Sequence, residues 1–299
     1  MSRPNVRRIH QAVMAAALFA SVGGAGDAIE QATTNLSEFG KGLIAAGAWA
    51  LWGLALMSTL VRLPATLTTL RISATTGLVA IALAALVGDL DAASVVWAVT
   101  PPAALATVSL SPVVGHEWID GASYGDEIRF TLRTPLALAL IGLPLGWAVL
   151  VTGVLTGPIL LANERWLAGA IATVIGFYAA SIGARALHGL ARRWLVMVPA
   201  GLVLHDHLAT REAFLMIRST VTDIRPTPND TNLGAYHRLD ATGDAPGTSF
   251  EIVLTDGVEC VPRPERGRTA EIRKISSVLI VPTRGTAFVE VARSRGLRN

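Results

Sequence analysis

The sequence contains few of the residues that build disulfides, metal clusters and charged surfaces. Its single cysteine, Cys260, excludes an intrachain disulfide and a cysteine-based metal cluster. Only 16% of the 299 residues are charged and 6% are aromatic, whereas 52% are hydrophobic and the mean hydropathy is +0.49. A soluble globular chain is a poor explanation of that composition. Because Ala, Leu, Val and Gly supply most of the hydrophobicity, it is typical of closely packed membrane helices.

Long uncharged stretches predict an α-helical membrane bundle. A spanning helix needs roughly 20 mostly apolar residues. Five stretches of about that length lie at 43–61, 72–87, 94–113, 135–161 and 167–184. A sixth, at 12–26, is shorter and follows three arginines. We interpret it as a retained first helix, with a signal peptide cleaved near Ala25 as the alternative, so the bundle has five or six transmembrane helices.

The basic residues of the short loops predict the orientation of the bundle, because Lys and Arg accumulate on the cytoplasmic side. With six helices, one side has only Lys41 and Arg165. The other side has ten arginines: Arg3, Arg7, Arg8, Arg62, Arg71, Arg129, Arg133, Arg185, Arg192 and Arg193. This predicts a multi-pass protein of the cell (plasma) membrane, with both termini and the 115–134 loop in the cytoplasm.

After Trp194 the apolar runs become short and alternating, which predicts antiparallel strands. Turn signals stand at 199–201 and at Asp256-Gly257, and the second predicts a β-hairpin. The chain closes with a strand and an amphipathic helix that carries Ala287, Phe288, Val291 and Ala292 on one side. The predicted organisation is an N-terminal segment with a short outer loop at 1–42, a transmembrane bundle at 43–190 and a small cytoplasmic β-rich domain at 191–299.

Three stretches together resemble an uncharacterised family of multi-pass membrane proteins from actinobacteria. They are "DGASYGDEIRF", "RALHGLARRWLVMVPAGLVLHD" and "LIVPTRGTAFVEVARSRG", and the resemblance covers roughly residues 43–299. It implies that the tail is similar to a pleckstrin-homology-like (PH-like) barrel, in which seven strands are closed by one C-terminal helix. It implies no activity.

Two catalytic motifs are partly present in the 115–134 loop, but both are incomplete. Residues 121–125 fit the G-x-S-x-G pattern, yet a nucleophile elbow needs a strand before the turn, a helix after it, and a later acid and histidine. His116-Glu117 begins a zinc-protease pattern, but Asp120 stands where the second histidine should be. The glycines at both ends of 115–121 also argue against two helical turns. We therefore predict no catalytic residues, although a membrane-embedded enzyme remains the third alternative.

The same loop is better explained as an ordered element at the membrane interface. Trp118 and Tyr124 suit that interface. Ile128, Phe130 and Leu132 alternate with Arg129, Thr131 and Arg133, so that one face can enter lipid or pack on protein while the other meets headgroups. The alternative is a binding role toward the tail domain or a partner for four residues: Asp120, Tyr124, Asp126 and Glu127.

The five clear spanning segments contain no ionisable residue, which argues against an ion or substrate pathway. Two G-x-x-x-G pairs, Gly142 with Gly146 and Gly153 with Gly157, predict close helix contacts. We predict no cofactor, no metal and no nucleic-acid partner. The most favoured function is a membrane-anchored scaffold or regulatory subunit whose tail binds a protein partner or lipid headgroups. The second alternative is a transporter or channel component.

A basic cluster follows the last predicted helix, and it consists of Arg185, His188, Arg192 and Arg193. Near an anionic leaflet each Lys or Arg is worth about 1 kcal/mol. One interpretation is that these residues only set the topology. The other is that, with Arg62, Arg71, Arg129 and Arg133, they form a basic collar that holds the tail against the membrane.

Overall fold

The chain folds into two compact units. The computed structural model describes residues 3–121, 123, 125–227, 237–264, 269 and 271–297. One unit, called the helical unit here, comprises Met1–Gly121 and Leu145–His188. The other, called the strand unit, comprises Ala122–Pro144 and Gly189–Asn299. The strand unit therefore includes part of the connection between two long helices as well as the tail.

Long apolar helices make up the helical unit. They are α1 (Arg3–Ala32), α2 (Glu38–Leu60), α3 (Pro64–Val87), α4 (Ala92–Leu110), α6 (Leu143–Ala162) and α7 (Trp166–Ala191), with the short α5 (Pro112–Asp120) after α4. A π-helical turn, Leu138–Gly142, leads into α6. Six helices in the described chain are long and apolar enough to cross a membrane, by length and composition. The number of long apolar helices agrees with the larger of the two predicted counts, and the first of them is the helix near the N-terminus.

Side-chain caps mark where several of these helices begin. The Ser37 hydroxyl accepts from the Gly40 N–H at the start of α2, and the Asp91 carboxylate accepts from the Ser94 N–H at the start of α4. Such caps satisfy donors that have no partner within the helix. Helix α3 begins at Pro64 rather than at 72, and it therefore includes Arg71, whose Nε donates to the Ser109 carbonyl of α4 at 3.0 Å. Helix α3 thus contains one ionisable residue.

Glycines allow α6 and α7 to approach each other closely. A Cβ atom added to Gly153 would lie 2.4 Å from the Gly176 carbonyl oxygen, and one added to Gly157 would lie 2.3 Å from the Thr173 hydroxyl. No side chain fits at these positions, so the predicted packing role is confirmed for this pair. Gly146 is less crowded, since its nearest neighbour across the interface is a Leu187 methyl at 3.9 Å.

Helix α5 contradicts the expectation that 115–121 is too tightly bracketed for two helical turns. It covers nine residues and passes through Gly115. Ser111 caps it by accepting from the Val114 N–H, and Pro112 occupies its first turn. The pair Ser111-Pro112 thus marks the start of a new helix within the stretch 94–113, which the sequence predicted as one span.

The strand unit contains two sheets. The first has the order β1-β2-β3-β4, with β1 (Ile128–Thr131), β2 (Trp194–Val198), β3 (Gly201–His205) and β4 (Phe214–Ile217), and all its pairs are antiparallel. The second has the order β5-β7-β8-β6, with β5 (Val221–Thr227), β6 (Arg238–Asp240), β7 (Ser249–Cys260) and β8 (Arg273–Ile280). Its β6–β8 pair is parallel and its other pairs are antiparallel. Helix α8 (Gly285–Ser294) closes the described chain.

Strand β1 shows that the apolar face of the 128–132 segment packs on protein, which is one of the two contacts expected for it. It pairs with β2 so that Phe130 lies opposite Leu195. The alternation seen in the sequence is real, but the apolar face made by Ile128, Phe130 and Leu132 packs into the hydrophobic core of the strand unit. This segment is therefore an edge strand of the domain formed by the tail.

The Asp256-Gly257 pair does not form the predicted hairpin. Strand β7 continues through it and pairs with β8 on both sides, with Val253 opposite Ser277 and Val258 opposite Ile275. The change of register between these pairs is a bulge, and Gly257 has φ +66° there. Bulges commonly use a glycine in this left-handed conformation. The 199–201 turn is as predicted, since Val198 pairs with Gly201.

The core of the strand unit lies between the two sheets and α8. Leu195, Met197, Leu202, Leu204 and Met216 of the first sheet are fully buried. Phe288 and Ala292 of α8 are also fully buried, as the amphipathic pattern predicts, and Phe288 packs edge-on against Phe130 and Phe250. This packing fixes the outward-facing residues of the first sheet, which carry the candidate site.

Candidate binding surface of the strand unit

Arg193 has a structural role, so it does not belong to the residues predicted to bind lipid. Its side chain is 2% exposed and forms a bidentate ion pair with Asp206. The Nε–Oδ1 distance is 2.8 Å and the Nη2–Oδ2 distance is 2.7 Å. It also donates to the Arg133 and Ala241 carbonyls, each at 2.8 Å. All of these partners belong to the strand unit, so Arg193 links β1, β2, β3 and β6 and cannot reach a headgroup.

Arg192, its neighbour, is exposed and belongs to a group of basic residues on the outer side of the first sheet. We call this group the basic exit surface: Arg129, Arg192, His205, His207 and Arg263. Arg192, His207 and Arg263 are exposed, whereas Arg129 and His205 are half-buried. Arg192 is the first residue after α7 ends.

Cross-strand stacking holds the basic exit surface in place. The guanidinium of Arg129 lies 5.6 Å from the centre of the Trp194 ring, and the His205 ring stacks on the same indole with 5.3 Å between centres. The register explains this contact, since Trp194 pairs directly with His205. Arg129 also pairs with Glu127 at 2.7 Å. Stacking on tryptophan thus orients both the Arg129 guanidinium and the His205 ring.

The electrostatic environment of this surface is positive. Burial lowers the pKa of His205, and the charges of Arg192, His207 and Arg129 lower it further. Burial also lowers the pKa of His207; nearby Asp206 opposes that shift, while Arg263, Arg193 and Arg192 add to it. Both imidazoles are therefore mostly neutral at pH 7, and the arginines supply the positive charge.

A second polar group surrounds α5 in the helical unit. Gln11 donates to the buried Glu117 carboxylate at 3.1 Å, and Trp118 donates from its indole to the Ser58 carbonyl at 3.0 Å. The Arg62 guanidinium lies over the Trp118 ring. The first two contacts join α5 to α1 and α2, and the third joins it to the α2–α3 turn, so this group stabilises the packing of α5 in the helical unit.

The two catalytic motifs do not form catalytic sites in the described structure. Ser123 lies between α5 and β1, so a helix precedes it and a strand follows, the reverse of a nucleophile elbow. Its hydroxyl has no hydrogen-bond partner among the described residues. His116 is on a helix, but its Nε2 pairs with Asp120 at 2.9 Å. No three His, Cys, Asp or Glu side chains in the described ranges come together as a metal site would require.

The remaining predicted residues are divided between the two units. In the helical unit Arg185 is exposed, and His188 shares a 3.0 Å hydrogen bond with Thr68 through Nδ1. In the strand unit the exposed Arg133 lies against Gly247. Of the four loop residues, Asp120 belongs to the helical unit, and Asp126 and Glu127 belong to the strand unit. Tyr124 lies outside the described residues.

Sequence reasoning missed His205, His207 and Arg263. A two-residue turn at Pro199-Ala200 places Trp194 opposite His205, so this part of the surface follows from the turn signal alone. Arg263 has no comparable signal, since it reaches the His207 carbonyl from beyond β7.

No protein-family model, curated protein or solved structure matches this chain. The resemblance to an actinobacterial membrane family therefore stays a prediction.

Proposed function

We propose that this protein is a multi-pass integral membrane scaffold or regulatory subunit of the cell membrane, and that its strand unit is a cytoplasmic PH-like module which docks on anionic lipid headgroups. The six apolar helices anchor the chain, and the strand unit presents the basic exit surface to the leaflet. The strands and the closing helix support the PH-like interpretation.

The basic exit surface is the observation that carries this proposal. Arg192, His207 and Arg263 are exposed, and the charges of both arginines act on His207. Arg192 directly follows a helix that is long enough to span a bilayer. A cationic group at the end of a spanning helix lies within reach of anionic headgroups. The stacked Arg129–Trp194–His205 row holds this surface rigid, so docking orders few side chains.

The experiment compares two single variants that remove one exposed arginine each from the strand unit. Arg192→Gln removes a charge from the basic exit surface, and Arg211→Gln is the control because Arg211 is exposed but outside that surface. The full chain is placed in nanodiscs of neutral or anionic lipid, and the rate at which a protease cuts the strand unit is measured. We expect Arg192→Gln to weaken docking by about 1 kcal/mol, or roughly fivefold, in anionic nanodiscs only.

Salt provides the second comparison, since exposed charges are screened over about 8 to 10 Å at physiological ionic strength. The difference between the two variants should shrink as salt is raised. Equal cleavage of the parent and both variants in neutral and anionic nanodiscs, at low and high salt, would show that the surface has no docking role. Arg193 is unsuitable for this test, because replacing it disrupts the fold.

A further inference from the structure

A cleft of about 300 Å³ lies in the strand unit, and none of its lining residues belongs to the basic exit surface. It is bounded by the β2–β3 turn, by the end of β4 and by the chain that leaves α8. Its apolar lining comes from Val198, Pro199 and Leu297. Its polar lining comes from Arg218, Arg295 and Asp126. The cleft thus combines a carbon-rich wall with two guanidinium groups.

Arg295 is fixed in this cleft by neutral partners. It donates from Nη1 to the Met197 carbonyl at 2.9 Å and from Nη2 to the Asp126 carbonyl. Carbonyls orient a guanidinium without cancelling its charge. No carboxylate in the described part of the chain forms an ion pair with Arg295. The positive charge at this position is therefore still available to a ligand.

Gly296 leaves room for the second guanidinium, that of Arg218, at the same cleft. Its φ is +64°, and a Cβ atom there would lie 3.0 Å from Nη2 of Arg218. Glycine adopts this conformation readily and leaves the space that the Arg218 guanidinium occupies. Arg218 is exposed, and no ion pair neutralises it within the described residues. Two cations from distant parts of the sequence thus border the same small cleft.

We propose that this cleft binds a phosphomonoester, that is, a small molecule or lipid headgroup that ends in one phosphate. Arginine pairs match the oxygens of phosphate with paired, charge-assisted hydrogen bonds. The volume is at the small end of the range for ligand pockets and suits a short organic phosphate. Asp126 lowers the total positive charge, which disfavours ligands with several phosphates, and the apolar wall accepts the carbon skeleton.

This inference is independent of the docking proposal, because none of the cleft residues belongs to the basic exit surface. The test uses the full chain in nanodiscs of neutral phosphatidylcholine and glycerol 3-phosphate as the probe, with uncharged glycerol as the ligand control. Binding is measured by calorimetry. We expect saturable binding of glycerol 3-phosphate with a dissociation constant at or below about 1 mM, and none of glycerol.

Two variants show whether the cleft is the site. Arg218→Gln should weaken binding at least about tenfold, which corresponds to about 1.4 kcal/mol. Arg293→Gln is the matched control, since Arg293 is exposed on α8 and outside the cleft. Arg218 is chosen because Arg295 also links two backbone segments, and its loss could disturb the fold. Absence of saturable binding, or equal weakening in both variants, would overturn the proposal.

Adding lipid to the same nanodiscs distinguishes a phosphate-bearing lipid from a free phosphate ester as the natural ligand. If the natural ligand is a lipid, phosphatidic acid competes with glycerol 3-phosphate and raises its apparent dissociation constant. Phosphatidylglycerol carries a phosphodiester and should not compete. If the natural ligand is a free phosphate ester, neither lipid changes the binding of the probe.

Discussion

The two units distribute their hydrophobic residues in opposite ways. In the helical unit large apolar side chains face outward, with Leu86 81% and Leu167 77% exposed, while much of its buried interior consists of small residues such as Ala28, Ala98 and Ser73. In the strand unit most large apolar side chains are inside, and apart from the buried Arg193 most arginines and histidines are exposed or half-buried. The difference supports the proposal that the helical unit lies in lipid and the strand unit in water. An outward apolar surface is stable in lipid, and a buried apolar core is stable in water.

Some buried polar groups are also satisfied differently in the two units, although Arg71, Glu117 and Trp118 bond between segments of the helical unit as well. In the helical unit the Ser73 and Ser109 hydroxyls bond to carbonyls of their own helices. In the strand unit the Arg193–Asp206 pair connects segments that are far apart in sequence. Local hydrogen bonds suit helices that associate through close packing, whereas the ion pair fixes one arrangement of strands. The predictions below disturb one unit at a time.

The largest effect is expected from breaking the Arg193–Asp206 pair. Asp206→Leu leaves the Arg193 guanidinium buried without its carboxylate, which typically costs about 3 to 5 kcal/mol. Hydrogen exchange on the full chain should show this loss across the strand unit and little change in the helical unit. The double variant Arg193→Met, Asp206→Leu should recover much of the stability, because it leaves no unpaired charge. Equal protection in the parent and Asp206→Leu would mean that the pair does not hold the unit together.

A smaller effect is expected at the contact between α6 and α7. Gly153→Leu places a side chain where the Gly176 carbonyl lies, and overpacking of this kind costs about 1 to 3 kcal/mol. Gly47→Leu is the control, since Gly47 in α2 has open space around its Cβ position. Thermal denaturation in detergent should show a lower midpoint for Gly153→Leu alone. If both variants melt together, this glycine contact is not needed for stability.

The smallest effect concerns pH and His205. In the unfolded chain the imidazole takes up a proton near its ordinary pKa of 6.5, whereas in the folded unit it does so only at lower pH. Below about pH 6.5 the unfolded state therefore binds more protons, and the stability of the strand unit falls as pH falls. His205→Gln should make this decline shallower, as followed by hydrogen exchange between about pH 7 and about pH 5.5. An unchanged pH dependence would contradict the assigned environment of His205.

Local patterns in the sequence predicted much of the fold. Apolar runs indicate the long helices, the 199–201 turn indicates the β2–β3 pair, and the spacing of Phe288 and Ala292 indicates the buried side of α8. These features depend on residues that are neighbours along the chain. Their physical basis is the helix or strand period and the turn chemistry, which a single sequence contains.

Features that depend on distant residues could not be predicted in this way. The alternation at 128–133 indicates a strand, but its partner β2 begins only at Trp194. Asp256-Gly257 suits a hairpin turn and a bulge equally well, and the pairing with β8 decides between them. In the sequence Arg193 cannot be distinguished from its basic neighbour Arg192. Only the fold shows that Arg193 is buried in the strand unit and paired with Asp206. The basic exit surface was therefore predicted only in part.

Cys260 alone cannot report which side of the membrane the strand unit occupies. Its side chain is buried, and burial raises the pKa of its thiol to about 11. Because the thiolate is the reactive form, the native thiol should react very slowly on either side of the membrane. Cys260 therefore need not be replaced when exposed cysteines are introduced elsewhere, because it contributes little to the labelling.

The most direct test of the central claim is the labelling of two such cysteines with a membrane-impermeant maleimide. Asn35→Cys lies between α1 and α2, and Glu212→Cys lies between β3 and β4; both positions are exposed. If the helical unit spans the membrane and the strand unit is cytoplasmic, Asn35→Cys is labelled in intact cells and Glu212→Cys only after the membrane is opened. Labelling of Glu212→Cys in intact cells, or protection of Asn35→Cys there, would contradict the account.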